Sequence, residues 1–148
     1  MRSIKLKIVT PERLVLEEEA YSVTLPSEGG EVTILPDHIP YIGALRAGEI
    51  HFRRTKDSEP EALATSGGFV EFHGNVLSVL ADTAERAEEI DIERAEAARK
   101  KAEELKAERS LMDDEEYARV AASLEKEFAR LRVARKHHSK GGFIAPGE

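Results

Sequence analysis

Apolar and polar residues alternate along the first half of the chain, up to about residue 84. Ile4, Leu6 and Ile8 are separated by lysines, and a threonine separates Val23 from Leu25. A period of two places one apolar face of a strand against a core. Turn sequences such as TPER, PSEGGE, RAGE and HGN recur between these segments. Short strands with frequent turns predict an antiparallel sandwich or barrel.

Glycine pairs and prolines mark the loops of this half. The pairs at 29–30 and 67–68 have neither the spacing of a phosphate-binding loop nor a helix pattern after them. We therefore expect turns or bulges that use positive φ. His38 lies between Pro36 and Pro40, which cannot donate within a central strand, so this segment is predicted to be a stiff, exposed loop. Such loops often make contacts, although a single histidine there is also ordinary surface.

After Asp82 the apolar residues recur every three or four positions, which is typical of helices that pack along one face. The first such seam is built largely from alanine: Ala95, Ala98, Ala102 and Leu105. The second seam is bulkier: Tyr117, Ala121, Leu124, Phe128 and Leu131. Because only a few residues around 110–112 link the two, we predict an antiparallel helical hairpin.

Both predicted helices begin at capping residues. Asp91 suits an N-cap, and Ile90 can pack against Ala95 across it. Asp113 suits the second helix, with Glu116 completing a capping box. A two-helix unit with an alanine seam buries little apolar area, which stabilises by only about 25 cal/mol per Å². We therefore expect the hairpin to lean on the sandwich, to dock onto a partner, or to alternate between the two.

Folding this hairpin about residue 111 brings four charged residues together at its open end. Lys126 and Arg130, one turn apart on the second helix, come near Asp91 and Arg94 at the start of the first. In one interpretation Asp91 caps its helix and pairs with Arg130. In the other, Arg94, Lys126 and Arg130 form a phosphate cradle beside a helix N-terminus.

Composition narrows the possible chemistry. The chain of 148 residues has no cysteine and a net charge of −7, which excludes thiolate sites and argues against bulk nucleic-acid binding. His51 and His73 have no carboxylate at ligand spacing, so no metal site is predicted. No paired-carboxylate or Ser–His–Asp constellation can be assembled, and we expect no catalytic residues.

The N-terminus lacks the apolar run of a signal peptide, and no stretch approaches the roughly 18 apolar residues of a membrane span.

Four segments in order make the chain resemble the epsilon subunit of F-type ATP synthases over residues 3–135. They are EVTILPDHIPYIGALRAGEI, ATSGGFVEFHGNVLSVLADTAER, IDIERA and RLRVA. The resemblance implies an N-terminal antiparallel ten-stranded β-sandwich in residues 1–86 and a C-terminal antiparallel two-helix hairpin in residues 87–136. Residues 137–148 lie outside it and are predicted to form a disordered tail.

The resemblance also implies a non-catalytic place in the central stalk. The sandwich would bind the gamma subunit and sit on the ring of c subunits, coupling proton-driven rotation to ATP synthesis. The hairpin would open, extend along gamma and restrain ATP hydrolysis at the catalytic beta and alpha subunits. The complex would hold the chain peripherally at the cytoplasmic face of a bacterial plasma membrane, or at the stromal face of a thylakoid in a plastid.

Three sets of site residues are implied by the resemblance. The contact with the c-ring corresponds to Glu28, Glu31, Val32, Thr33 and His38. The contact with an acidic segment of beta corresponds to Lys126, Arg130, Arg132 and Arg135. Some bacterial members bind ATP through an I/L-D-x-x-R-A motif, and ATP then favours the folded-down hairpin. The matching residues here are Glu85, Ile90, Asp91, Arg94, Ala95, Lys126 and Arg130.

ATP is thus implied as a regulatory ligand, and no cofactor is required. Lys126 stands where ATP-binding members carry an arginine, and lysine offers phosphate only a point charge. Two alternatives start from the residues themselves: a free-standing ATP-binding sensor, and an enzyme that uses the sandwich as a scaffold. Binding of gamma would separate the stalk subunit from both, and we expect no ATP turnover by the chain alone.

Overall fold

The structure is a computed structural model that describes residues 2–141. Within this range, eight strands precede a helical hairpin. The strands are β1 (Ile4–Val9), β2 (Leu14–Ala20), β3 (Ser22–Ser27), β4 (Gly30–Ile34), β5 (Tyr41–Arg53), β6 (Glu61–His73), β7 (Val76–Ala81) and β8 (Ala84–Arg86). The helices are α1 (Ile92–Ala107) and α2 (Asp114–Gly141), and short 3-10 turns at Ala87–Glu89 and Arg109–Leu111 precede them.

The strands form a mixed sheet of eight, which corrects the expectation of ten antiparallel strands. Their order is β2-β1-β7-β6-β5-β3-β4, with β8 paired to β6. β1 and β7 pair in parallel, whereas β5 with β6 and β6 with β7 are antiparallel. The count is lower than ten because β5 and β6 are continuous strands of 13 residues that serve both halves of the sandwich.

β6 changes neighbour at Gly68. Residues 68–73 pair with β7, whereas residues 63–65 pair with β8. Gly68 has a φ of +144°, and a Cβ there would lie 2.1 Å from the carbonyl oxygen of Leu80. Only glycine therefore lets β6 approach β7 this closely. The expected positive φ is confirmed, and the pair at 67–68 is a bend inside a strand.

The sandwich core confirms the alternation seen in the sequence. Ile4, Leu6 and Ile8 on β1 are fully buried, while Lys5 between them is exposed. Apolar side chains from all eight strands meet in one cluster, so the sheet closes over a single core. This core gives the N-terminal part a rigid body of its own.

The hairpin begins at the predicted caps. Asp91 accepts a hydrogen bond from the Arg94 amide at 3.1 Å and so caps α1. At the start of α2, Asp113 accepts from the Glu116 amide at 2.8 Å, and Glu116 accepts from the Asp113 amide at 3.2 Å. The two helices pack along each other across the short link, which confirms the hairpin.

The hairpin rests on the sandwich mainly through α2, which packs against β5 and β6. A second apolar cluster joins the two parts: Ala64, Ala87, Ile90, Ala95, Ala129, Leu131, Val133 and Ala134. Burial of a side chain such as Leu131 contributes about 1.5–3 kcal/mol. The seam differs from the prediction, because Phe128 is 38% exposed whereas Val133 is 1% exposed. Ala129, Leu131, Val133 and Ala134 of α2 are buried. α2 packs against both α1 and the sandwich here, so its buried positions do not follow the spacing expected for two helices alone.

α2 continues to Gly141, which corrects the predicted start of the tail at residue 137. No proline or glycine interrupts residues 136–140, so nothing in this segment breaks the helix before Gly141. The rest of the predicted tail, residues 142–148, lies outside the described range. Although α2 has 28 residues, neither it nor α1 is apolar enough to cross a membrane.

Candidate ligand and partner sites

Arg130 of α2 brings three charged groups together where the hairpin meets the sandwich. Its Nη1 donates to Glu127 Oε2 at 2.8 Å, and its Nη2 donates to Glu85 Oε2 at 3.1 Å. Its Nε lies 3.0 Å from Glu85 Oε1, an ion pair without hydrogen-bond geometry. Because Glu85 belongs to β8, this contact joins the sandwich to the hairpin.

Burial strengthens this contact. The exposed fractions of the side chains are 18% for Arg130, 24% for Glu85 and 7% for Glu127. Burial by itself lowers the pKa of Arg130, but the hydrogen bonds to Glu127 and Glu85 raise that pKa above its ordinary value. Two carboxylates and one guanidinium leave the trio with a formal charge of −1 (−2 + 1).

Three of the predicted nucleotide-binding residues make contacts at the start of α1 that stabilise the fold. Asp91 caps the helix, while Ile90 and Ala95 are buried in the second apolar cluster. The interpretation in which Asp91 pairs with Arg130 is wrong, because the carboxylate that crosses to Arg130 is that of Glu85. Glu85 lies on β8, so the spacing of residues within the hairpin does not predict its contact with Arg130.

Arg94 and Lys126 add positive charge near this contact. Arg94 is exposed on the first turn of α1, and Lys126 is half-buried one turn before Arg130. The three cations of the predicted phosphate cradle therefore differ in their surroundings. Arg130 is neutralised by carboxylates of the chain, Arg94 is exposed, and Lys126 is half-buried like Arg130.

The predicted c-ring residues divide into exposed and packed ones. Glu28, Glu31 and Thr33 are exposed, and Val32 packs against the sandwich core. β4 is the last strand in the sheet order, and within the described residues it pairs with β3 alone. Its outer edge is therefore unpaired within these residues.

His38, the fifth of these residues, is half-buried rather than freely exposed. Its ring packs edge-on against Phe72 with centroids 5.9 Å apart, and its Nδ1 lies 2.7 Å from the Ile39 carbonyl oxygen. Beside it, the Asp37 amide donates to Asn75 Oδ1 at 2.7 Å, and Asn75 Nδ2 donates back to Asp37 Oδ1 at 3.1 Å. These contacts hold the histidine against the sandwich, which corrects the expectation that it is exposed.

Glu49 of β5 forms ion pairs with basic residues near the end of α2. Lys136 Nζ lies 3.3 Å from both of its carboxylate oxygens, and Arg132 Nε lies 3.9 Å from one of them. His51 Nε2 lies 3.2 Å away on the same strand. Burial raises the pKa of Glu49, but the contacts with His51 and Lys136 outweigh this effect and leave its pKa below the ordinary value.

Three of the four basic residues predicted to meet beta are engaged within this chain. The ion pairs are Arg130–Glu85, Arg132–Glu49 and Arg135–Glu96. The first two carboxylates belong to the sandwich and the third to α1. Lifting α2 from the sandwich would therefore release at least two of these cations.

An apolar stripe on the outer face of the sandwich was not found from the sequence. Four pairings between neighbouring strands link its members. They are Leu14 with Val9, Val9 with Leu80, Leu80 with Phe69, and Phe69 with Ala44. Facing positions on neighbouring strands share one side of a sheet, so these five residues form a continuous surface. Phe69 and Leu80 are 65% and 59% exposed. The available signal is the segment VLSVLA, where the outward-facing set of alternating positions is apolar except for Ser78.

Other candidate sites are weaker. A crevice of about 650 Å³ between the sandwich and the end of α2 is lined by Phe52, Leu63 and Val133, with Glu61 and Lys136 at its rim. None of the predicted nucleotide residues lines it. Within residues 2–141, no group of three or more His, Asp or Glu side chains could hold a metal ion.

Family models match the chain over most of its length. The β-sandwich domain of the ATP synthase delta/epsilon chain matches residues 3–87, and the long α-helix domain matches residues 88–135. The ATP synthase epsilon chain of Moorella thermoacetica is 46% identical over 134 residues, covering 90% of this chain and 98% of the relative. The epsilon chain of Herpetosiphon aurantiacus is 45% identical over 137 residues, covering 93% and 98%.

Solved structures share the fold. A chain of the Euglena gracilis mitochondrial ATP synthase, in a structure of OSCP, F1 and the c-ring, has a TM-score of 0.74 at 21% identity and covers 91% of this chain and 82% of its own. A chain of the Tetrahymena thermophila mitochondrial ATP synthase central stalk and c-ring has a TM-score of 0.54 at 14% identity, covering 90% and 95%. The fold agrees with the sequence matches to both domains. The chain therefore belongs to the family of ATP synthase epsilon chains.

Proposed function

We propose that this chain is a non-catalytic subunit of the central stalk of an F-type ATP synthase, where it couples rotation to ATP synthesis. The observation that carries the proposal is the family match to both the sandwich and the hairpin, in the same order, with 46% identity to an epsilon chain. The complex would hold the chain peripherally at the cytoplasmic face of a bacterial plasma membrane. The chain itself contributes contacts, and the chemistry occurs at the catalytic beta and alpha subunits.

The apolar stripe supports binding to the gamma subunit. A contiguous exposed apolar surface marks a partner site in a soluble domain. Phe69 and Leu80 are the most exposed large side chains of the stripe and would be buried against gamma. The single core beneath them keeps this surface rigid, as a part that transmits torque requires.

The open edge of β4 supports contact with the c-ring. Glu28 in the turn before β4, and Glu31 and Thr33 on β4, are exposed polar side chains that would face the loops of a ring. Val32 and His38 pack inward and hold the edge in position. The sandwich would thus bind gamma through one surface and the ring through another.

The hairpin supports a regulatory role that restrains ATP hydrolysis. Arg130 and Arg132 are held by carboxylates of the sandwich, and Arg135 by a carboxylate of α1. In the extended hairpin these arginines, together with Lys126, would meet the acidic segment of beta. The docked and extended forms then compete for the same cations, so that breaking one set of ion pairs releases the groups that form the other.

A nucleotide would act on the same equilibrium by favouring the docked hairpin. Glu85 and Arg130 meet at its open end, and Arg94 and Lys126 add positive charge for the phosphates. Ile90 and Asp91 directly precede α1, and Ala95 lies in its first turn. ATP is in this proposal a regulatory ligand and not a substrate.

Co-purification of the full chain with the gamma subunit of the same organism tests the central proposal. We expect a stable complex with gamma, no ATP hydrolysis by the chain alone, and slower hydrolysis when the chain is added to the complex of alpha, beta and gamma. A chain that binds ATP but does not bind gamma would instead be the free-standing sensor. Turnover of ATP by the isolated chain would contradict the non-catalytic role.

A further inference from the structure

Glu127 is a buried acidic side chain to which none of these functions gives a role. It lies on α2, and its side chain is 7% exposed. Its Oε2 accepts a hydrogen bond from Arg130 Nη1 at 2.8 Å, across one turn of the helix. A carboxylate buried this deeply is costly unless it is paired and hydrogen-bonded. Glu127 and Arg130 therefore stabilise each other's burial.

The guanidinium of Arg130 is already surrounded by carboxylates. Glu85 faces its Nε and Nη2, and Glu127 faces its Nη1. A phosphate binds arginine best through two parallel N–H donors. Each nitrogen of Arg130 thus has an anionic partner before any ligand arrives.

We propose that Glu127 is a resident anion of the nucleotide site: it takes the place of a phosphate at Arg130, so the hairpin docks without nucleotide and ATP binds weakly. This inference rests on the proposed nucleotide site of the hairpin. It adds the residue that sets the affinity of that site.

Displacing Glu127 is unfavourable for two reasons. A phosphate that takes over Nη1 leaves the carboxylate of Glu127 buried without its cation. The two negative groups also repel each other across a partly buried space, where charges are poorly screened. Arg94 and Lys126 offset part of this repulsion, but the lysine supplies a point charge and no bidentate contact.

The same arrangement explains how α2 docks without a ligand. Arg130 lies against β8, and Glu85 and Glu127 together neutralise it there. No phosphate is needed to make its burial favourable. The hairpin of the isolated chain would then be docked before ATP binds, and ATP would add stability to the docked form without being needed to produce it.

Titration of ATP into the full chain and its Glu127→Gln variant tests the proposal. Glutamine keeps the shape and an acceptor oxygen but removes the charge. We expect the Glu127→Gln variant to bind ATP at least about tenfold more tightly, equivalent to about 1.4 kcal/mol. Glu125→Gln removes the same charge from an exposed position on the same helix, and it should change affinity by less than about twofold. Adding Arg130→Ala to Glu127→Gln should abolish the gain, because the two residues act through one contact.

The outcomes separate this inference from the proposed nucleotide site. If the parent chain binds ATP and Glu127→Gln binds no more tightly, the role of Glu127 is overturned and the nucleotide site stands. If neither chain binds at millimolar ATP, both are overturned. An equal gain with Glu125→Gln would show a general charge effect and would also overturn the inference.

A distance measurement tests the docking step directly. The chain has no cysteine, so spin labels can be placed at Asp57→Cys on the sandwich and Glu104→Cys on α1. We expect one narrow distance distribution in the absence of nucleotide and no change on adding ATP. A hairpin that comes to this distance only with ATP would show that Glu127 does not replace the phosphate.

Discussion

Glu85 on β8 and Arg130 on α2 lie 3.0 Å apart and join the sandwich to the second helix. Glu127 completes this contact from within α2. Glu49 on β5 repeats the arrangement farther along the helix, where it lies 3.3 Å from Lys136. The hairpin is thus held by a small apolar cluster and by two carboxylates of the sandwich. Such a contact can be released without unfolding the sandwich, whose core is separate.

Arg130→Ala is expected to loosen the hairpin. The change removes the partner of Glu85 and leaves the carboxylate of Glu127 buried without a cation. Breaking a buried pair in this way costs about 3–5 kcal/mol. Hydrogen exchange should show lower protection in α1 and α2 and unchanged protection in the sandwich. Arg119→Ala, at an exposed position of α2, is the control. Unchanged protection in Arg130→Ala would show that the apolar cluster alone docks the hairpin.

Docking at Glu49 is expected to weaken in acid. His51, Arg132 and Lys136 face this carboxylate, and its pKa lies below the ordinary value of 4.5. A carboxylate with a lowered folded-state pKa stabilises the fold above its unfolded pKa and loses this contribution as the pH falls through the folded pKa. The acid-induced loss of amide protection at the end of α2 measures this step.

Glu49→Gln should remove the part of that acid dependence that arises from this contact. It should also cost about 1 kcal/mol of docking free energy at neutral pH, because a partly exposed ion pair is worth little more. Glu71→Gln, at an exposed position of β6, is the matched control and should keep the acid step. The same acid profile in Glu49→Gln and in the parent chain would exclude Glu49 as its source.

Phe69→Ser and Leu80→Ser are each expected to weaken binding to gamma by about tenfold or more. Both side chains are mostly exposed in the isolated chain, so folding stability should change by only about 0.5 kcal/mol. A side chain at the centre of an interface commonly contributes more than about 1 kcal/mol to binding. Calorimetry with purified gamma measures the affinity, and thermal unfolding followed by circular dichroism checks the fold.

Leu111→Ser provides the control for the stripe. Leu111 is 80% exposed at the turn of the hairpin, far along the chain from the stripe. It should leave the affinity for gamma unchanged. Full affinity in both stripe variants would place the gamma contact on another surface of the sandwich.

Gly68→Ala is expected to destabilise the sandwich by about 3 kcal/mol, because it combines strain at positive φ with a steric overlap. The added Cβ would lie 2.1 Å from the Leu80 carbonyl oxygen, at a φ of +144°. Urea unfolding of the full chain measures the loss. Gly29→Ala, where a Cβ meets nothing within 4 Å, should be nearly neutral. Equal stability of the two variants would show that β6 can separate from β7 at low cost.

Local patterns were enough to predict the parts of this fold that depend on neighbours in the chain. The period of two located strands such as β1, and the caps at Asp91 and Asp113 located the starts of both helices. These features depend on side-chain direction and on hydrogen bonds within a few residues. The motifs that resemble the epsilon family are likewise short segments, and both family models confirm them.

Features that join distant segments needed the tertiary structure. The pairing of β1 with β7 and the partner change of β6 at Gly68 depend on the order of strands in the sheet. The apolar stripe exists because five residues from β1, β2, β5, β6 and β7 fall in one register. The alternation along a single strand does not show which residues of neighbouring strands lie side by side.

The contact at Arg130 combines a feature that local sequence predicts with features that only the tertiary structure shows. The chain sequence predicts a charged end of the hairpin, because helical spacing alone places Lys126 and Arg130 near the start of α1. Helical spacing predicts that Arg130 pairs with Asp91, whereas its partner in the structure is Glu85. Glu85 lies on β8, and its position beside α2 depends on how the sandwich is folded. The burial of Glu127 likewise follows from α2 lying between α1 and the sandwich. Local spacing decides which charges are available, and long-range packing decides which of them lose water and pair.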